Sequence, residues 1–250
     1  MKLITIFNYP NDDNHNKLCK LWLEQAKKFA GMPIHVWHEK DLPEELVVEG
    51  VHYEKKERVR TWRRLDDFPF DPAVEGKASH NVRFKLYNLC QETEPFIYVD
   101  ADAIIYRSLD ILVEASHYKP FICADHQQVP KHSANLPFKF LNSGVQVVGD
   151  PSFLDFAAIV KTLDKDKGVI RSGMIGTDQA ILFYYCKFNE YDYTHKNVGF
   201  EWNSCAGYTT IDEDGNPQSE GLDYTHPVYI NHYWGEFRPW LMDCALWRKL

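Results

Sequence analysis

The first 38 residues limit the fold more than any other part of the chain. Leu3–Tyr9 (LITIFNY) is an apolar run rich in Ile and Phe, with the length of a buried strand. The turn PNDDN follows, and its aspartates can cap a helix. Leu18, Leu21, Trp22, Ala26 and Phe29 then recur at helical spacing, and Gly31 closes the element. MPIHVWH (Met32–His38) reads as a second strand. Strand, helix and strand in so short a span predict a βαβ unit, whose two strands lie parallel in a sheet covered by helices. The expected class is therefore α/β, with a mixed, mostly parallel central sheet. The 250 residues suit a single domain spanning 1–250 with one sizeable core.

Further elements follow the same logic. Ser79 caps a predicted helix whose Val82, Leu86, Leu89 and Cys90 share a face. Strands are expected at PFIYVDAD, at Pro120–His126 and at Phe140–Val148. SFLDFAAIVKTL is an amphipathic helix with Phe153, Phe156, Ala157, Val160 and Leu163 along its stripe. Thr177 opens another helix, TDQAILFYYC. TIDEDGNPQS reads as a hairpin turn, and VYINHY as a last strand. Residues 40–78 interrupt this order as an excursion. Glu54–Arg64 carries six basic residues there, either as a solvated surface or as a flap facing a substrate.

Composition closes off several classes. A net charge of −8 argues against nucleic acid as the main partner. No apolar run approaches the ~18–20 residues of a membrane span. The N-terminus lacks the apolar stretch of a signal peptide, N-x-S/T sites are absent, and the six cysteines form no C-x-x-C pair. A cytoplasmic protein with reduced thiols is the expectation.

Chemistry concentrates in two stretches. In FIYVDADAII, Asp100 and Asp102 interrupt an apolar run, where folding alone offers no reason for carboxylates. Alternation along a strand would point both the same way, at the strand end where open α/β sheets bind ligands. Two adjacent carboxylates persist when a cation lies between them, and Ala101 is small enough to admit a ligand to the backbone. An aspartyl nucleophile with a neighbouring acid, as in haloacid-dehalogenase-like phosphatases, also fits the motif. The second stretch is INHYWGEFRPW. His232 at a strand end can complete a carboxylate–carboxylate–imidazole set that suits Mn²⁺. Gly235 gives the backbone freedom to approach phosphate, and Arg238 can fork onto phosphate oxygens.

Together these stretches resemble a GT-A fold glycosyltransferase of the retaining family 8, the galactosyl-, glucosyl- and glycogenin-type enzymes. That family carries a strand-end D-x-D and a C-terminal H-x-x-G-x-x-K-P-W. HYWGEFRPW matches the latter with Arg238 in place of Lys. The resemblance implies that Asp100, Asp102 and His232 bind Mn²⁺ or Mg²⁺, and that Gly235 and Arg238 hold the diphosphate of a nucleotide-sugar donor, a UDP-sugar. VRFKL resembles the family's helix ahead of the D-x-D and places Arg83 near the donor. FLNSGV places Asn142 near the donor sugar, and GTDQAIL places Asp178 and Gln179 beside the anomeric carbon. Asn8 and Tyr9, after the first strand, fall where the family contacts the nucleobase. The implied activity is hexose transfer to the hydroxyl of a glycan, protein-linked glycan or lipid-linked acceptor. Asp178 stands either as a nucleophile or as a group that orients sugar hydroxyls. A non-catalytic sugar-nucleotide-binding or carbohydrate-binding protein remains as an alternative reading.

Overall fold

The computed structural model describes residues 1–8, 11–56, 84–124, 141–163, 178–206, 211–217, 227–233, 238–242 and 244–249. The expected caps Ser79 and Thr177 lie outside them, as does most of the 40–78 excursion.

The opening βαβ unit forms as expected. Strand β1 (Lys2–Ile6) leads through helix α1 (Asp13–Phe29) into β2 (Ile34–His38), which lies parallel to it. Asp12 caps α1, its carboxylate accepting the backbone N–H of His15 at 3.0 Å. Gly31 follows the helix with φ of 64°, a conformation that favours glycine. Strand β3 (Val51–Lys55) then adds to β2 in parallel, inside the region expected to leave the sheet. Its half-exposed VHYEK carries too little apolar character to announce an edge strand.

Helix α2 (84–89) precedes β4 (Phe96–Val99), which runs parallel to β1 on its other side. The chain turns directly into β5 (Ala103–Ile105) and then forms α3 (Asp110–Ser116) and β6 (Phe121–Cys123). Next come β7 (Val145–Val148), α4 (Phe156–Leu163) and α5 (Asp178–Phe188). The short β8 (Ser204–Cys205) and β9 (Ile230–His232) are the last strands. The expected hairpin turn is present, closed by a bridge between Ile211 and Pro217.

Six strands make one sheet in the order β3-β2-β1-β4-β7-β6, with β7 antiparallel to both its neighbours. Alternation along each strand divides the core between its two faces. Leu3, Val36, Ile97 and Val147 turn toward α1, while Ile4, Trp37, Phe96 and Val148 pack with α2, α4 and α5. The architecture is the α/β one expected, a mixed, mostly parallel sheet with helices on both faces. A second sheet, in the order β5-β9-β8, stands beside it. Cys19, Cys90, Cys123, Cys186 and Cys244 are free thiols. Among the described residues no helix is long and apolar enough to cross a membrane.

Candidate functional site

The sheet order passes from β2 on one side of β1 to β4 on the other, so the carboxyl ends of β1 and β4 flank a topological switch point, the usual ligand crevice of such folds. Asp100 and Asp102 sit at the end of β4. They do not share a strand face, as alternation had suggested. Strand β4 stops at Val99, and the Asp100 carbonyl accepts the N–H of Ala103 at 2.9 Å, closing a tight turn between β4 and β5. Each aspartate is fixed to a different strand. The N–H of Asp100 donates to the Gly144 carbonyl (2.8 Å), and the Asp102 carbonyl accepts from Tyr233 N–H (2.7 Å). Ala101, between them, is 2% exposed and packs in the core.

The second sheet supplies the imidazole. Ala103 of β5 pairs with His232 of β9, which brings a residue 130 positions away against the D-x-D. His232 Nε2 lies 3.1 Å from Asp102 Oδ1 and 3.8 Å from Asp100 Oδ2. One ligand atom from each of the three residues falls within 4.8 Å of the others, a spacing at which a single divalent cation can be held. Two carboxylates and an imidazole suit Mn²⁺ or Mg²⁺, and of these the nitrogen donor favours Mn²⁺. His232 Nδ1 lies 3.0 Å from the fully buried Asn203 Oδ1. Donating from Nδ1 leaves Nε2 to face the carboxylates, the tautomer a metal ligand requires. Gly144 makes room for the ring: a Cβ there would stand 2.5 Å from His232 Cε1.

Charge is tightly paired around this set. Burial would raise the Asp102 carboxyl, but His232 and Arg238 outweigh it and hold its pKa down at about 2. Burial likewise disfavours the His232 imidazolium, yet Asp102 and Asp100 leave its pKa raised above the ordinary value. Arg238 donates from Nη1 to Asp102 Oδ2 at 2.6 Å. It therefore stands beside the cation set, where an anionic ligand of that cation would lie. Asp178, the first residue of α5 and 9% exposed, comes to the same place from the other face of the sheet. Gln179 beside it is half-buried.

Two of the remaining expected residues are tied up locally. Asn142 Oδ1 accepts the N–H of Gly144 at 2.8 Å, and Asn8 Oδ1 accepts the N–H of Glu39 at 3.1 Å. The Asn8 Nδ2 donor is buried without a hydrogen-bond partner at the carboxyl end of β1, where a ligand acceptor would satisfy it. Tyr9, Arg83 and Gly235 lie outside the described residues.

Sequence reasoning missed Lys85, Tyr98, Asn203 and Gly144. Lys85 Nζ lies 2.9 Å from Asp100 Oδ1 and 2.8 Å from Asp178 Oδ2, while Tyr98 donates its hydroxyl to Asp100 Oδ1 at 2.6 Å. A signal for Lys85 existed: it falls four residues before Leu89, on the apolar stripe of its helix, where an unpaired ammonium is costly. Asn203 had no such signal.

No protein-family model matches the chain, and no curated protein sequence does either. Solved structures share its fold. The crystal structure of the galactosyltransferase LgtC in complex with donor and acceptor sugar analogs is similar over 99% of this chain and 92% of its own, at 14% identity and a TM-score of 0.58. The apo form of the glycosyltransferase GlyE from Streptococcus pneumoniae TIGR4 is similar at 14% identity and a TM-score of 0.57. There the match covers 96% of this chain and 55% of that one. The chain thus has a GT-A type glycosyltransferase fold, and identity this low speaks for the fold alone. The phosphatase reading of the D-x-D finds no support in it.

Proposed function

We propose that the protein is a metal-dependent retaining glycosyltransferase that moves a hexose from a nucleotide-diphosphate sugar, a UDP-sugar, to an acceptor hydroxyl. The observation that carries this reading is the meeting of Asp100, Asp102 and His232, within 4.8 Å, at the carboxyl end of β4 in a glycosyltransferase fold. LgtC, which has that fold, was crystallised with donor and acceptor sugar analogs. A glycan, protein-linked or lipid-linked acceptor belongs to the same proposal.

Asp100, Asp102 and His232 would hold Mn²⁺. A divalent ion there supplies Lewis-acid neutralisation of a diphosphate leaving group. Charge balance favours that ligand. Asp100, Asp102 and Asp178 against Lys85 and Arg238 leave one formal negative charge, with His232 neutral. A bound divalent ion reverses it to one positive, which attracts an anionic donor. Arg238 would leave Asp102 for the diphosphate oxygens, adding a cation where negative charge grows in the transition state. Gly235 would give the backbone freedom to approach them. The unpartnered Asn8 Nδ2 and the neighbouring Tyr9 would meet the nucleobase. Arg83 and Asn142 would border the donor sugar. Asp178 and Gln179 would orient its hydroxyls, a role supported by the approach of Asp178 to Asp100 through Lys85.

The test is a screen of nucleotide sugars for Mn²⁺-dependent thermal stabilisation, followed by transfer assays and NMR of the new linkage. Donor binding at a hundred times its dissociation constant stabilises by ~2.7 kcal/mol. The expected result is a rise in melting temperature with one nucleotide sugar that requires Mn²⁺, and a product with retained anomeric configuration. No stabilisation by any nucleotide sugar, or an inverted product, overturns the reading.

A further inference from the structure

The cation set and Asp178 come from different elements and share no ligand atom, yet one side chain touches both. Lys85 is 8% exposed, deep enough that an ammonium needs compensation on every side. It has it. Nζ donates to Asp100 Oδ1 (2.9 Å) and to the Ser143 carbonyl (3.0 Å), and lies 2.8 Å from Asp178 Oδ2. Asp100 Oδ1 and the Ser143 carbonyl take its hydrogen bonds, and Asp178 Oδ2, which makes no hydrogen bond of its own, is its ion-pair partner. The Tyr98 ring lies under it, 4.3 Å from centroid to Nζ. On Asp100, Lys85 and Tyr98 both occupy Oδ1, so Oδ2, the oxygen 3.8 Å from His232 Nε2, is the one presented to the cation.

We propose that Lys85 is a positioning residue that couples cation binding at Asp100, Asp102 and His232 to the placement of the Asp178 carboxylate. The proposal rests on the metal-dependent reading above and deepens it. A cation at Asp100 draws electron density away from Lys85 and repels its charge, so the ammonium shifts its weight onto Asp178. Removing the Asp178 charge does the reverse: among the described residues it leaves Lys85 with Asp100 as its one carboxylate partner and sharpens its competition with the ion. Asp178, though no ligand of the cation, thereby sets how tightly the cation binds. An Asp178 carboxylate held by an ammonium is also a weakened nucleophile, which favours the orienting role over covalent attack.

The experiment is a double-mutant cycle read as Mn²⁺ affinity by calorimetry, with the metal alone and the full chain at neutral pH. Lys85→Met removes a positive charge near the ion and frees Asp100 Oδ1. It is expected to tighten Mn²⁺ binding by on the order of ten-fold, while transfer activity falls. Asp178→Asn is expected to weaken Mn²⁺ binding by a similar factor in the native background and by clearly less in the Lys85→Met background. Melting curves confirm that each variant is folded. Should Lys85→Met alone fail to fold, the double variant, which loses one carboxylate together with the ammonium, must still bind Mn²⁺ more tightly than Asp178→Asn. Weaker Mn²⁺ binding by Lys85→Met overturns the coupling. Equal effects of Asp178→Asn in both backgrounds also overturn it, because plain long-range charge then accounts for them. Absence of Mn²⁺ binding by the native protein removes the metal-dependent reading itself, and the coupling with it.

Discussion

The six-stranded and three-stranded sheets are built on opposite terms. In the larger, β4 (FIYV) and β7 (VQVV) bury every side chain, and helices close over both faces. In the smaller, strands of two or three residues bury Ser204, Asn231 and His232, with Asp102 leading into β5. Apolar burial holds the first sheet together, at roughly 25 cal/mol per Å² removed from water. The second sets those polar groups among the buried Ala103, Ile104, Ile105 and Ile230, and buried polar groups cost stability wherever one is left unsatisfied, as the Asn231 side chain is. A structure that accepts such terms at one place, beside a ligand crevice, has spent stability on chemistry. Substitutions in the two sheets should therefore separate stability from cation binding.

The largest effects come from a reciprocal pair. Asp102→Asn keeps the size of the side chain and removes the charge that His232 and Arg238 share. Mn²⁺-dependent transfer should fall at least 10²- to 10³-fold. Phe121→Ala acts on the far edge of the larger sheet, where Phe121 is fully buried and its ring stacks on Phe153 at 5.3 Å. It should cost ~3–5 kcal/mol of stability and leave Mn²⁺ affinity unchanged. Denaturant melts and metal titrations on both variants check the pair. A Phe121→Ala protein that stays folded but loses Mn²⁺ binding would break the separation.

The same contrast explains what could be read without a structure. Strands β1, β2 and β4 and helix α1 were legible because apolar spacing alone forms them, as Leu18, Leu21 and Trp22 do for α1. Strand β3 was not, since an edge strand needs little apolar surface, and Glu54 and Lys55 look like the start of the basic run. Strand β5 has only three residues and runs on from the D-x-D turn, so no turn signal separates it from β4. At the site, Asp100, Asp102, His232 and Arg238 stood out because carboxylates in an apolar run, and a spaced His, Gly and Arg, are chemically conspicuous. Their supports were not. An Asn such as Asn203, or a glycine such as Gly144, signals nothing until the ring it touches has a position.

Gly144→Ala tests those supports, and its effect should be intermediate. The added methyl would meet His232 Cε1 at 2.5 Å and Nδ1 at 2.7 Å. The ring must turn or the strand must shift, at ~1–3 kcal/mol for the overpacking. Disturbing the group that orients a ligand histidine typically lowers metal affinity 10- to 100-fold. Titration with Mn²⁺ and a melting curve separate the two costs. Native affinity in Gly144→Ala would mean that His232 is not held where the cation set needs it.

The smallest effect is a pH dependence, and its direction follows from His232. Asp102 and Asp100 raise the pKa of its imidazolium in the metal-free protein, so below that raised value the ring holds a proton that a cation must displace. Below that raised pKa, Mn²⁺ affinity should climb about ten-fold per pH unit, and above it level off. Stability of the metal-free protein moves the other way. A pKa raised by folding stabilises fully below the unfolded value of ~6.5, and that contribution is lost as pH rises through the folded value. The gain in melting temperature on adding Mn²⁺ should therefore widen as pH rises toward the raised pKa of His232 and level off above it. Asp102 does not interfere in this window, because with its pKa held at about 2 it stays ionised throughout. Melting curves with and without Mn²⁺ across this range check the sign. A gap that narrows as pH rises would place the proton elsewhere and detach His232 from the cation set.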